Sequence, residues 1–310
     1  MTIRTSNAAA PTRLFVTLAV ALVVGGCQVS NQAIRADFTD FNTIVQFNQA
    51  QQMLLNLVRL HYREAPLFLQ AGALSAAYES RTGASAGISV ESGTSRTSGV
   101  GVDYAFASKP TITYTPVEGK AYVQQFMSEI SLDTVGLLLR SGWPVGRLAE
   151  LTIERVVIGD DVLINDPKAP SYPRFIALID TLQRAQDAGR LRVTTENGVQ
   201  VVRAGTQTIP ASALILRSLF DVMFVAAKYV ETPSGHLSRV RSGEANGALV
   251  IHSSAAIPAE AMVWVQHGGY YFSIDDSDIR SKDTFALLMQ IARIQASTIT
   301  TSPVMTLPVR

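Results

Sequence analysis

From Leu74 to Val90 the even positions read Leu, Ala, Tyr, Ser, Thr, Ala, Ala, Ile, Val, while the odd positions 75–91 read Ser, Ala, Glu, Arg, Gly, Ser, Gly, Ser, Glu. After a Ser/Gly/Thr-rich stretch, Ser92 to Gly99, the even positions Val100, Val102, Tyr104, Phe106, Ile112 and Tyr114 are again apolar or aromatic. Gly101, Asp103, Lys109, Thr111 and Thr113 on the odd side are small or polar. Side chains that change face at every residue are a property of strands, so two such runs around a turn predict a long amphipathic β-hairpin over 74–114. Pro110 has no N–H to give a ladder and predicts an edge or a bend in the second arm. Each arm exceeds the ~9–11 residues that a tilted strand needs to cross a bilayer. The alternation suits a half-buried sheet or a barrel wall with lipid on one face and water on the other. Two strands cannot span alone, because their outer edges would leave backbone groups unpaired in hydrocarbon.

The start of the chain carries an address. Arg4 and Arg13 precede an apolar run from Leu14 to Val24, with no acid among them, and Gly25, Gly26 and Cys27 follow. A basic start, a short apolar core and small residues at the cut are the parts of a secretory signal peptide. The run is well short of the ~20 residues of a spanning helix. Val24-Gly25-Gly26-Cys27 resembles the lipobox of bacterial lipoproteins, which implies cleavage before Cys27 and lipid on that cysteine. Cys27 is the only cysteine, so the chain has no intrachain disulfide and no cysteine metal cluster. Gln28, where an Asp would resemble an inner-membrane retention signal, makes the periplasmic face of the outer membrane the expected location.

Charge is nearly balanced, with 26 basic and 25 acidic residues. Removal of Arg4 and Arg13 with the signal leaves the balance close to zero. Nothing here draws the chain to nucleic acid or to anionic lipid. A hydrophobic content of 47% against 16% charged is ample for a packed core and leaves apolar surface for a partner or membrane to cover.

The rest predicts an α+β fold: a signal peptide 1–26, a lipidated tether 27–40, and one mixed domain over 41–310 from which the hairpin 74–114 projects. A helix is expected from Phe41 to Tyr62 on the recurrence of Phe41, Val45, Leu55, Val58 and Tyr62, with Pro66 stopping it. Its amides, Asn42, Asn48, Gln49, Gln51, Gln52 and Asn56, read as a solvated face, with a partner contact as the alternative. Further helices are expected over Gly119–Ile130, over Ser131–Arg140, and from Pro144 through Val156 up to Gly159. Residues 160–170 read as a loop. Ser171 and Pro173 open a helix with Phe175, Leu178, Ile179, Leu182 and Ala185 inward and Gly189 closing it. Asn197-Gly198 between 190–195 and 199–203 is a strong hairpin signal. Strands are expected at 213–216, 248–252, 262–266, 270–274 and 304–309, and helices from Ser218 to about Val230 and from Ser281 to Ala296.

The chemistry-bearing side chains do not assemble into a reaction. Asp275, Asp276 and Asp278 lack the spaced oxygen ligands of a calcium loop and sit where a helix start wants acids. None of the four histidines has the i, i+4 partner of a helical zinc pair. His61, between Arg59 and Arg63, reads as a solvated helix end, His267 as a turn residue, and Ser234-Gly235-His236 as turn chemistry. No Gly-x-Ser-x-Gly elbow occurs, and the Gly-rich stretch 83–101 lacks the strand–helix context of a phosphate loop. Trp143 and Trp264 read as core aromatics, and Arg140, Arg147 and Arg155 as solvated helix positions. The sequence therefore predicts no catalytic residue, no cofactor-binding residue and no metal ligand; its one site residue is Cys27, for lipid.

Asn56-Leu57-Val58-Arg59-Leu60 with Tyr62-Arg63, Ile112-Thr113-Tyr114-Thr115-Pro116, Ser141-Gly142-Trp143-Pro144, Arg217-Ser218-Leu219, and Tyr271-Phe272-Ser273-Ile274-Asp275-Asp276 before Ser281-Lys282 occur in an order that resembles a family of proteobacterial lipoproteins of unknown function. The resemblance spans most of the mature chain and implies neither an activity nor a site. The expected function is that of a non-enzymatic scaffold or interaction subunit of an envelope assembly, partnered by another envelope protein or by copies of itself. The alternative is an oligomeric outer-membrane pore whose copies each give hairpin 74–114 to a shared barrel. That arrangement is similar to the curli secretion lipoprotein, with which the chain shares no motif.

Overall fold

The period-two segment forms two long strands in the computed structural model, which describes residues 42–90, 96–116, 120, 124, 126–240 and 248–296, and over 70–116 the backbone alone. Strand β1 (Leu69–Val90) has 22 residues and β2 (Arg96–Pro116) has 21, and they form a sheet of their own. Five residues join them, too few for a parallel crossover, so the pair is antiparallel. Strand begins at Arg96, inside the Ser92–Gly99 stretch expected to turn. Pro110 lies within β2 without ending it, which is tolerable because each strand of a two-stranded sheet has an unpaired side. Residues 71–114 belong to one compact unit, and 49–70 with the chain from Thr115 onward to another. Cys27, the tether and the strand expected at 304–309 lie outside the described residues.

The second unit is α+β around one apolar core. Helix α1 covers 42–61, α2 Leu132–Arg140, α3 Val145–Thr152, α4 Tyr172–Asp187, α5 Leu219–Ala227 and α6 Ile279–Ala296. The strands are β3 (Ile153–Ile158), β4 (Asp161–Ile164), β5 (Leu191–Glu196), β6 (Val199–Ala204), β7 (Gln207–Pro210), β8 (Leu214–Leu216), β9 (His252–Ser254), β10 (Ala261–His267) and β11 (Tyr270–Asp275). They make three small antiparallel sheets, ordered β4-β3-β8, β5-β6-β7 and β10-β11-β9. The five residues expected to face inward on α4 are the five that are buried. Asn197 (φ 51°) and Gly198 (φ 80°) both take the left-handed conformation that a two-residue turn between β5 and β6 demands. Ser131 caps α2 by accepting from the Thr134 N–H, and Ser218 with Asp221 forms a full capping box on α5.

Several boundaries differ from the sequence expectation. The helix after Pro144 stops at Thr152 instead of running past Val156, because 152–158 is rich in β-branched residues and becomes β3. The expected loop 160–170 begins as β4, joined to β3 through Gly159 (φ 60°). Strand β7 was not expected, and the strand expected over 248–252 starts only at His252, with Ile251 making a single bridge to Val230. Positions 120, 124 and 126 of the expected helix 119–130 are helical, but Glu129 pairs with Ser218.

On α1 the buried face is Met53, Leu54, Leu57, Val58 and Leu60, with Leu55 only partly covered; Asn42 is exposed as expected, but Gln51, Gln52 and Asn56 are not part of a solvated face. Asn56 is wholly buried: its Nδ2 donates to Leu67 O (2.8 Å) and its Oδ1 accepts from Leu67 N (3.0 Å). Gln52, in the orientation that satisfies both its groups, treats Leu69 the same way, with its nitrogen 3.2 Å from Leu69 O and its oxygen 2.5 Å from Leu69 N. Gln51 donates to Trp264 O (2.9 Å), and Gln49 accepts from Arg293 (3.2 Å). The segment leading into β1 is thus held by side-chain amides. Replacing Asn56 by Leu strands a backbone N–H and a C=O in the interior and should lower unfolding free energy by about 2–4 kcal/mol. Urea denaturation measures this; a loss below about 0.5 kcal/mol, the scatter of an ordinary surface change, would show the pairing to be dispensable.

Candidate functional site

The apolar period of α1, Leu54, Leu57, Val58, carries on into His61, and this brings an imidazole and the neighbouring Tyr62 to the inner side of the helix end. Arg63 (φ 62°) then turns the chain in a Schellman motif, with Arg63 N bonded to Leu60 O (3.0 Å) and Glu64 N to Arg59 O (2.8 Å). Two further segments meet this end: the short 3₁₀ turn Ser234–His236 and the tight connection between β10 and β11. Three of the four histidines gather there around one phenol.

Tyr62 is the hub. Its Oη lies 2.7 Å from His236 Nδ1, and its ring centroid lies 5.0 Å from that of His267, 5.5 Å from those of His61 and His236, and 6.1 Å from that of Phe272. Tyr270 meets His236 edge-on at 4.9 Å, and His267 Nε2 stands 3.3 Å from Glu64 Oε1. Desolvation raises the Tyr62 phenol above its usual range, against the pull of Arg239, with Tyr270 and Glu64 adding smaller upward contributions. The phenol therefore keeps its proton, and its hydroxyl shares one hydrogen bond with His236 Nδ1. Glycine is required at two places around the hub. A Cβ at Gly235 would come within 2.9 Å of Tyr270 Oη, and one at Gly268 (φ 58°) within 2.9 Å of His236 Cε1.

His61 is fixed by both nitrogens. Ala227 O, 3.1 Å from Nδ1, can only accept, so Nδ1 carries the proton; Nε2 then accepts from Thr232 Oγ1 at 2.9 Å. Burial lowers the pKa of this ring below 6.5, with the Ala227 carbonyl partly opposing the shift. The sequence reading of His61 as a solvated helix end and of His267 as a turn residue is corrected here, while the turn read at Ser234-Gly235-His236 is present as a 3₁₀ turn. His61 is half-buried, His236 is buried, and His267 is the last residue of β10. The signal for His61 was its place in the apolar period; nothing local marked the other two.

Chemically the cluster is a clamp. A phenol raised in pKa is the opposite of an activated phenolate nucleophile. The rings fill the space against the glycine backbones, and among the described residues no group of three His, Cys, Asp or Glu is placed to hold a metal ion. The acids at 275–278 are engaged at the start of α6. Asp278 accepts from Ser281 N (3.1 Å) and from the Ser281 hydroxyl, Asp275 accepts from Ser277 N and Oγ (both 2.9 Å), and Asp276 pairs with Lys282 Nζ (2.6 Å). These hydrogen bonds hold Asp275 and Asp278 below the ordinary carboxylate range. The two tryptophans are partly buried, Trp143 donating to Gln290 Oε1 (2.6 Å) and Trp264 packing edge-on with Tyr271. Of the arginines read as solvated, Arg147 is bonded to Thr284 Oγ1 (3.1 Å), and Arg155 lies in β3.

Compared with protein-family models, with curated proteins and with solved structures, the chain has no match.

Two outcomes test the clamp. Tyr62→Phe removes the hydrogen-bond partner of the buried His236 Nδ1 and should cost about 1–3 kcal/mol of stability; a neutral result would place that bond outside the fold's needs. His61 has a folded pKa below its unfolded value, so its contribution is complete above about pH 6.5 and is lost as pH falls toward the folded value. His61→Asn keeps a donor for Ala227 O but does not titrate. The drop in melting temperature between pH 7.5 and pH 5 should be smaller in this variant than in the wild-type protein. An equal drop in the two proteins would remove His61 from the pH response.

Proposed function

We propose that this chain is a lipid-anchored cell-envelope protein, tethered through Cys27 to the periplasmic face of the outer membrane, which works as a non-enzymatic interaction subunit of an envelope assembly. The observation that supports this reading is the hairpin β1–β2. Two strands of 22 and 21 residues stand in a sheet of two, each with one side unpaired among the described residues. A two-stranded hairpin is marginal alone in water, and a long open edge is a template for another strand. A protein that keeps such an element has a use for it in contact with something else. Both nitrogens of His61 and the Tyr62 hydroxyl are engaged with protein groups, which supports the non-enzymatic part of the reading.

A second reading is favoured by length. At about 3.3 Å per residue each arm extends over roughly 70 Å, more than twice the ~30 Å hydrocarbon core of a bilayer. Hairpins from several copies, closed edge to edge, would make an outer-membrane pore with strand left over on the aqueous side. Among the described residues no helix is long and apolar enough to cross a membrane.

The anchor is tested directly. Cells fed a palmitate analogue should label the wild-type protein and bring it down with the membranes, whereas Cys27→Ser should be unlabelled and appear as a soluble or unprocessed form. Unlabelled wild type in the soluble fraction would overturn the proposal.

A further inference from the structure

We infer that the partner of the hairpin is a second copy of this chain, joined head to tail, the open edge of β1 in one copy pairing with the open edge of β2 in the next. This rests on the reading of the hairpin as an interaction element and names what fills it. In an antiparallel pair the backbone groups of alternate residues point away from the partner strand. Among the described residues β1 and β2 bond only to each other, so the hairpin presents two open edges, one on each flank. A single extended peptide or foreign strand covers one flank and leaves the other open. A two-fold contact, β1 against β1, likewise leaves both β2 edges bare. A head-to-tail contact uses both flanks of every copy, and it closes into a ring when the rotation between copies permits.

Three features of the hairpin fit that contact. Its two edges match in length to within one residue, so pairing β1 with a neighbour's β2 leaves no overhang. The strands within a hairpin are antiparallel and so would be those between copies, giving an up-and-down sheet with an even number of strands, the form in which closed barrels lose their edges. Finally, the usual guards of an edge, short length, Lys and Pro, are scarce. Residues 69–90 contain no Lys and no Pro and only Glu79 and Arg81 as charges, and in β2 Lys109, Pro110 and Pro116 lie beyond Ser108, leaving 96–108 with only Arg96 and Asp103. The contact is therefore assigned to the part of each strand nearest the 91–95 connection, 96–108 of β2 against the second half of β1.

Variants of the full-length, detergent-extracted protein with one added cysteine test this, because Cys27 is the sole native cysteine and its thiol is capped by lipid in the proposed anchored form. Ser85→Cys and Ser89→Cys are placed in β1, Thr97→Cys and Ala105→Cys in β2, and a short bifunctional maleimide is added to each variant alone and to β1–β2 mixtures co-expressed in one cell. The expected result is covalent dimer in the mixtures, none in any single variant, and a particle of several copies by native mass measurement. Dimer from a single variant would overturn the head-to-tail contact in favour of a two-fold one. Absence of dimer from every mixture would overturn edge pairing between copies even in an oligomeric protein. Adducts only to a different protein would overturn the self-partner while leaving the interaction-subunit reading intact, and a monomer with no adduct would sink both.

Discussion

The helix-to-strand switch at Thr152–Ile153 depends on Arg217. A helix leaves its last carbonyls without intrahelical partners, and α3 runs directly into β3 with no glycine cap to meet them. Arg217 Nη1 donates to Glu150 O (2.9 Å) and Leu151 O (3.0 Å), and its backbone N–H donates to Thr152 O (2.8 Å). Asn165 Nδ2 completes the set, with Ala149 O and Glu150 O at 3.1 Å and Ile153 O at 2.8 Å. Five consecutive carbonyls are thus satisfied by two side chains and one backbone amide. A fixed positive charge also suits the negative end of the α3 dipole. Burial lowers the pKa of the guanidinium, with Glu154 the largest opposing influence, but an arginine stays charged. Through Arg217 Nη2 to Asn165 O (3.2 Å), and Ile130 N to Arg217 O (3.0 Å), the same residue ties the end of β4 and the approach to α2 to the strand β8 that precedes it. The core packs around this knot, so the three small sheets need not be continuous with one another.

How much of this was legible depends on whether the cause was local. Helix α4 reads directly because its apolar period, its Pro near the start and its Gly at the end all agree. The Asn197-Gly198 turn and the Ser218 cap are equally local. Strand β3 misled because Leu148, Leu151 and Val156 fit a helical stripe while β-branching favoured strand, and the β4 and β8 pairings, invisible locally, decided it. The amides of α1 were legible as a helix face but not as contacts, since Gln51 and Gln49 meet Trp264 and Arg293, more than 200 residues away. Polar side chains announce their chemistry in sequence, but the groups that satisfy them are a tertiary property.

The same distinction holds for the cluster around Tyr62. His61, His236 and His267 are far apart in sequence, so neither their convergence on Tyr62 nor its meaning could be read there. Once brought together, His61 uses both nitrogens on Ala227 and Thr232, His236 Nδ1 shares a hydrogen bond with the Tyr62 hydroxyl, and His267 Nε2 faces Glu64. The cluster joins the end of α1 to the 3₁₀ turn and to the β10–β11 connection, three segments with little apolar surface of their own to share.

The end of α1 also holds the start of β1. A helix cannot pair with a strand through its backbone, because its own N–H and C=O groups are already spent. An Asn or Gln side chain offers one donor and one acceptor, the same pair a peptide unit offers. Gln52 and Asn56 are four residues apart, a rise of about 6 Å. Leu69 and Leu67, the residues they meet, are two apart in an extended chain, about 6.7 Å. The two spacings nearly coincide, so the amides act as two rungs of a ladder laid on a helix. In an antiparallel strand the N–H and C=O of one residue point to the same side. Leu69 gives both to Gln52, so at its first residue β1 is held on one side by a side chain of α1 in place of a strand.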